Sequence, residues 1–433
     1  MKIILTLLML VALSPTSGIN AQEVPQAFVG ARLIPIEGPE VRDGVLIIHE
    51  GQVIAVGATD DTTIPDNAER HDARGRTIMP GFVDTHSHIG SPDGGDQSGP
   101  LHPDVRVLDS VNIRDARFQK AQAGGITTVN VMSGSGHLLS GQTIYLKLRD
   151  GKTIEDLALY RPDGQVAGGM KMANGTNPRR PPPFPTTRAK SAAMVRAEFL
   201  KAQDYRRRTQ DADNAEDQPP RDLRMEGLLS VLNGERIVHY HTHRHDDVLT
   251  VLRLAEEFEF RPVLHHVSDA WMVAEDIAAA GLASSLIFVD SPGGKLEAKD
   301  TSFESGAALE EAGALVGFHT DDGITDSRLF LRQAGLAVRA GMTRAGALAG
   351  LTQAGAEMLE LDHRVGSLTT GKDADFVILS GDPLSIYTHV LETWVEGQKV
   401  FDRSDPVDLL YAVGGPGSSH DQGAMRELEW ETR

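Results

Sequence analysis

Cysteine is absent from all 433 residues. That removes disulfide staples, thiolate-held zinc or iron–sulfur groups and a thiol nucleophile together. Positive charge is in deficit: 42 lysines and arginines stand against 61 aspartates and glutamates, a formal net charge of −19. Such a surface repels phosphates, so no nucleic-acid partner is expected. Beyond residue 21 no run of apolar residues is long enough to cross a bilayer as a helix, so no stable membrane span is expected. Internal repeats are missing too. What remains, 40% apolar and 24% charged residues, is ordinary for a globular protein, and the chain is long enough for a core that needs no staples.

The first residues read as an address. Lys2 gives a basic start, an apolar run covers residues 3–13, and Ile19-Asn20-Ala21 ends in a small residue. This is the pattern of a secretory signal, with cleavage expected after Ala21 and export to a periplasm or the exterior. Short β-branched runs separated by Gly, Pro and charged turns fill residues 28–56, and similar material returns from residue 365 onward. Between them the pattern changes. Apolar strands at 78–83, 126–132, 236–241, 262–266, 286–289 and 315–318 alternate with helical spacing at 107–123, 246–260, 268–280, 327–340 and 343–361. Alternating strand and helix argues for a parallel sheet, open or closed into a barrel. A proline-rich stretch, a basic helix at 187–208 and a polar loop interrupt it. The Gly/Ser-rich, then acidic tail at 413–433 is expected to be mobile.

The histidines fall at strand ends. His86 and His88 bracket one residue where an apolar strand finishes, and alternate strand side chains share a face, so both rings can converge on one cation. His239, His241, His243 and His245 repeat the period but spread too far along a strand to reach a single ion. His265 and His266 are adjacent and should point to opposite faces. Asp321 and Asp322 follow the last strand. Several strand ends delivering His or Asp in chain order predict a metal site, for which neutral imidazole is the commonest nitrogen ligand.

These motifs resemble the amidohydrolase superfamily, most of all its imidazolonepropionase-related and prolidase-like branch. The residues that carry the resemblance are Pro80-Gly-Phe-Val-Asp-Thr-His-Ser-His, Gly169-Met-Lys-Met-Ala-Asn-Gly-Thr-Asn-Pro, His241-Thr-His-Arg-His-Asp-Asp, Leu264-His-His-Val-Ser and His319-Thr-Asp-Asp-Gly, with the closing run from Val365 to Leu379. The resemblance implies an α/β fold: a (β/α)8 TIM-type barrel over residues 77–361, with a small β-sandwich built from 22–76 and 362–412. It implies a divalent metal, zinc by preference, as one or two ions. His86 and His88 match the first-strand ligands. His241 matches the fifth, with His243 as the competing choice, and His266 matches the sixth better than His265. Asp321 matches the eighth-strand aspartate, a ligand and proton shuttle, and Asp322 is expected to be a loop or capping residue. Lys171 matches a lysine that is carboxylated and bridges two metals, and Lys147 is a second candidate for that role.

The expected chemistry is hydrolysis of a C–N bond in an amide, cyclic amide or dipeptide-like small molecule. Asp321 would shuttle the proton, and His266 or His243 would steady the oxyanion. Arg244, Lys295 and Arg328 are candidates for binding a substrate carboxylate. Two other readings stand beside it: the same metal barrel acting on a lactone, a phosphoester or an isomerisation, and a metal-retaining binding protein without turnover. Whether the chain forms a homo-oligomer is left open.

Overall fold

The computed structural model describes residues 23–92, 94–288 and 295–414. The expected signal at 1–21, and all but the first two residues of the expected tail, lie outside them. No described helix is long and apolar enough to cross a membrane.

Seventeen strands can be followed among the described residues. The first five are β1 (Gln26–Leu33), β2 (Val41–His49), β3 (Gln52–Ala58), β4 (Glu69–Asp72) and β5 (Thr77–Pro80). The middle holds β6 (Phe82–Ser87), β7 (Ile126–Val131), β8 (Leu139–Gln142), β9 (Ile144–Lys147), β10 (Met170–Ala173), β11 (Val238–Thr242), β12 (Pro262–His266), β13 (Ala283–Leu286) and β14 (Val316–Phe318). The last three are β15 (Phe376–Leu379), β16 (Val390–Val395) and β17 (Gln398–Asp402).

Both ends of the chain meet in one eight-stranded sheet, ordered β17-β16-β15-β5-β1-β2-β3 with β4 also on β1. The seam is antiparallel, with Phe376 opposite Pro80 and Leu379 opposite Thr77. Aromatic packing closes its apolar side. Phe376 stacks on Trp394 at 5.4 Å between centroids, and Phe28 stands edge-on to both at 5.1 and 5.2 Å. The apolar run 78–83, read above as one strand, is two. Pro80 lacks an amide proton. At Gly81 a Cβ would sit 2.2 Å from the Thr127 side chain. The chain therefore leaves one sheet at β5 and enters another at β6.

Two sheets make up the middle: β14-β13-β12-β11-β10-β8, and β6-β7-β9. The strands from β10 to β14 are parallel neighbours, as are β6 and β7. Every residue of β6, β7, β10, β11 and β12 is buried, as befits parallel strands covered on both faces. The expected all-parallel closed ring is not what the ladders show. β8 and β9 run antiparallel to β10 and β7 and occupy the place between them. No ladder among the described residues pairs β14 with β6. The fold is a mixed α/β arrangement in which β6, β10, β11, β12 and β14 carry their carboxyl ends to one histidine group.

The helices follow the apolar spacing with several breaks, one of them at 268–280, which divides into a 3-10 turn at Ala270–Met272 and the helix Ala274–Ala279. His245–Phe258 buries Val248, Val251, Leu254 and Phe258 on one face. The helix expected over 343–361 is split into Arg344–Leu351 and Gln353–Met358. At the break the Thr352 hydroxyl donates back to the Leu348 carbonyl at 2.9 Å, and its backbone leaves helical geometry. Of residues 107–123 only Arg117–Ala123 is α-helical. There the Asp115 carboxylate accepts the Arg117 amide at 2.9 Å, which starts the helix late.

Candidate metal centre

β6 delivers His86 and His88 to the ends of the parallel strands. Their rings lie 5.1 Å apart, and both Nε2 atoms face the same carboxylate, Asp321 Oδ1, at 3.3 and 2.9 Å. The Met132 carbonyl accepts from His88 Nδ1 at 2.7 Å, which turns Nε2 toward Asp321 and the other rings. Lys171, fully buried on β10, places Nζ 3.2 Å from His86 Nε2. From β11 and the turn after it come His241 and His243, ring centroids 4.6 Å apart. His241 lies 4.4 Å from His266 at the end of β12, and His266 lies 4.9 Å from His86. The expected ligands on β6, β10, β11, β12 and after β14 are thus drawn into one contiguous cluster.

One expectation fails locally. His265 and His266 do not part to opposite faces, for both rings come within about 5.0 Å of His86, ring centre to ring centre. The cause is the backbone. His266 and Val267 have φ of 72° and 42°, left-handed values that reverse the strand and swing the second ring back inward. His239 and His265 join in a separate buried chain, from Tyr145 Oη to His239 Nε2 at 3.0 Å and from His239 Nδ1 to His265 Nε2 at 3.0 Å.

The structure adds residues that sequence reasoning passed over. His319 sits between Ser285, 2.8 Å from its Nδ1, and His266 Nδ1, 3.0 Å from its Nε2. Its signal was present, since it stands two residues before Asp321 as His86 stands before His88. Glu297 meets His241 and His243 from the loop after β13, and nothing in its local sequence marks it. Asp84 is buried under the centre and accepts the Thr320 amide at 3.0 Å and hydroxyl at 2.6 Å. Three groups have ligand atoms within 4.8 Å of one another: His86, His88 and Asp321; His86, His266 and His319; and His241, His243 and Glu297.

Burial sets the electrostatics. It holds His86, His241, His265 and His266 well below their ordinary value and His239, His243 and His319 down to about 3, so the rings are neutral at pH 7. Burial also pushes Lys171 down to about 7. Burial acts to raise Asp321, but the His88 hydrogen bond and the surrounding charges hold it below the usual carboxylate range. The centre fits a cation on its own chemistry. His86 Nδ1, His241 Nδ1, His243 Nε2, His266 Nε2 and Glu297 Oε1 are buried without hydrogen-bond partners, and the donors are imidazole nitrogen and carboxylate oxygen, a zinc-type set.

The remaining candidates are placed differently. Lys147 points away, ion-paired with Asp373 at 2.8 Å and Asp375 at 2.7 Å. Arg244 closes on Asp246 at 2.7 Å beside a cavity near the centre. Arg328 is held by Asp326 at 2.5 Å and by the Tyr411 carbonyl at 3.3 Å, and none of its described bonds reaches a histidine. Lys295 is exposed at the start of the segment that carries Glu297, near enough for its charge to act on His241 and His243. Asp322 accepts the Ser327 amide and hydroxyl at 3.1 and 2.6 Å and caps the turn there.

Comparison with known proteins places this geometry. The pattern of the Amidohydrolase family matches residues 232–402. A solved amidohydrolase from Thermotoga maritima is 31% identical, covers 87% of this chain and 100% of its own, and superposes with a TM-score of 0.80. An amidohydrolase, tasK, of Hapsidospora irregularis is 29% identical over 84% of this chain, and the match spans only 40% of that protein's length. The imidazolonepropionase of Sphingopyxis alaskensis is 24% identical over 90% of this chain and 95% of its own.

Proposed function

From the premise that the chain belongs to the amidohydrolase family, we propose that it is a metal-dependent hydrolase that cleaves a C–N bond of a small amide, cyclic amide or dipeptide-like substrate. The observation that carries this is the convergence of His86, His88 and Asp321 with Lys171, His241 and His266 from five separate strand ends.

We read the two middle sheets as the wall of one (β/α)8-type barrel, with the chain-end sheet as the β-sandwich domain. Two seams support closure. The Asp321 amide donates to the His86 carbonyl at 2.9 Å beside β14 and β6, and the Thr143 amide donates to the Gly169 carbonyl at 2.9 Å between β8, β9 and β10. The substrate would then enter at the carboxyl ends of the strands. Export of the protein, on the strength of residues 1–21, belongs to the same reading.

His86, His88, Asp321 and either His241 or His243 would hold a divalent cation, zinc by its donor set, with His266 beside it. When bound, the cation supplies Lewis acidity, which polarises a carbonyl and makes water acidic enough to attack at neutral pH. Lys171, near-neutral and buried, would add CO2 to its amine and serve as a further ligand if two ions bind. The chain's own residues carry the proton. Asp321, kept ionised, accepts the proton of the attacking water and returns it to the leaving nitrogen, so that the C–N bond breaks to a carboxylic acid and an amine. Where His241 is the ligand, His243 is left for the carbonyl oxygen: Ser268 Oγ lies 2.8 Å from its Nδ1, and with that hydroxyl as donor the ring proton would stand on Nε2, ready to steady the oxygen as charge develops there.

The test is a panel of dipeptides, N-acyl amino acids and cyclic amides with zinc-loaded protein, metal counted per chain and released amine measured. Amine release that follows metal content supports the reading. Fully loaded protein that releases amine from no member of the panel overturns it.

A further inference from the structure

Beside the histidines, at the carboxyl ends of β10, β11 and β12, a cavity of about 440 Å³ is lined by Thr176, Arg179, Arg188, Arg244, Asp269 and Glu297 among others. It adjoins the centre directly. Asn177, one residue past Thr176, places its side-chain nitrogen 3.3 Å from His241 Nε2, and Glu297 belongs to the ligand group of His241 and His243.

The charges around this cavity are matched with one exception. Arg188 is 2.8 Å from Asp247 and 3.5 Å from Glu297. Arg244 pairs with Asp246 at 2.7 Å, Lys299 with Asp300 at 2.7 Å, and His245 with Asp269 at 3.3 Å. Arg179 has no such partner among the described residues. Its Nε is out of contact with solvent and has no acceptor among the described residues. A half-buried guanidinium without a counter-charge is costly, and its planar fork matches a carboxylate in two parallel hydrogen bonds.

We infer that Arg179 anchors a substrate carboxylate in this cavity, so that the substrate is an anionic amide: an N-acyl amino acid or a dipeptide whose free carboxylate lies on the amine side of the scissile bond. This rests on the hydrolase reading for the bond cleaved, and it names Arg179 in place of Arg244 and Arg328, whose guanidinium groups are already taken up by Asp246 and Asp326.

The experiment compares N-acetyl-leucine with N-acetyl-leucinamide, which differ only in that charge. Calorimetric binding to wild-type protein is expected to favour the acid by about tenfold or more, the scale of a charge-assisted hydrogen bond. Arg179→Met should abolish the preference by weakening the acid alone. Arg179→Lys should keep part of it, and serves should the methionine variant fail to fold. Arg244→Met should leave it intact. Equal binding of acid and amide by the wild type, or an undiminished preference in Arg179→Met, overturns the proposal. Turnover is read separately. A carboxylate preference without amine release counts against the hydrolase reading and still supports the anchor.

Discussion

His266 shows how much one backbone angle decides. Side-chain alternation predicts that neighbouring histidines diverge, and positive φ at His266 and Val267 cancels it. Non-glycine residues in that region cost about 1–3 kcal/mol and collect at functional sites, and Asp321, at φ 49°, is another. Which histidines could face one cation was legible from the period-two spacing. Which of them share the centre did not follow from that spacing, because it depends on a local reversal; the resemblance alone favoured His266 over His265. Asp321 carries the first prediction at this scale. Asp321→Asn should keep most of its metal, since an amide oxygen can still coordinate, while kcat falls about 10²- to 10⁴-fold through loss of the proton acceptor. Metal analysis beside steady-state kinetics checks it, and unchanged turnover refutes the shuttle.

At the scale of elements, the strand ends were readable and their partners were not. β6, β11 and β12 stand out as apolar runs ending in histidine. β8, β9 and β10 are four residues each and carry Gly, Ser or Lys, too short and mixed to announce themselves. β10 nevertheless positions Lys171, and it does so by a close approach. A Cβ on Gly169 would sit 2.5 Å from the Ile237 carbonyl and 2.4 Å from the His239 ring, at the point where β10 joins β11. A backbone atom cannot swing aside, so Gly169→Ala should push the two strands apart. The expected cost is about 1–3 kcal/mol from overpacking, read from the urea midpoint, together with reduced metal retention as Lys171 and His241 separate. A variant with native stability and full metal would show that the strands tolerate the shift.

For the molecule as a whole, a buried charge network joins the chain-end sheet to the middle. Lys147 on β9 meets Asp375 and Asp373, while Arg149 holds Glu396 at 2.6 Å and Arg364 reaches Glu396 at 3.1 Å. Burial acts to discharge Lys147, but the two aspartates more than offset it and keep it protonated. Lys147→Met would leave buried carboxylates without their cation, at a cost of about 3–5 kcal/mol, measured by denaturant unfolding with activity assayed below the transition. Glu396 gives the pH dependence. Burial acts to raise it, but Arg149 and Lys147 hold it below its ordinary 4.5, against the opposing charge of Asp373. A carboxylate depressed in the folded state stabilises above its unfolded pKa, and that contribution fades as pH falls from 4.5 through the folded value. The Tm of Glu396→Gln should therefore fall less steeply than that of the wild type below this pH. Parallel curves would remove Glu396 from the acid response. Metal removal acts on the same scale: a ligand at 100 times its Kd stabilises by about 2.7 kcal/mol, so chelation should lower the Tm and zinc should restore it.

The chain by itself determined which groups were available: strands at both ends, alternating strand and helix between them, imidazoles at period two where strands finish, and no thiol to compete for the metal. These are properties of neighbours along a chain, and periodicity records them. Only the folded arrangement decided that His266 and His319 meet, that Glu297 arrives from a distant loop, that Lys171 faces the histidines while Lys147 faces Asp375, and that Arg179 is left with its charge unanswered. Each depends on what another segment brings within about 3 Å, the reach of a hydrogen bond, and no window of local sequence contains both partners.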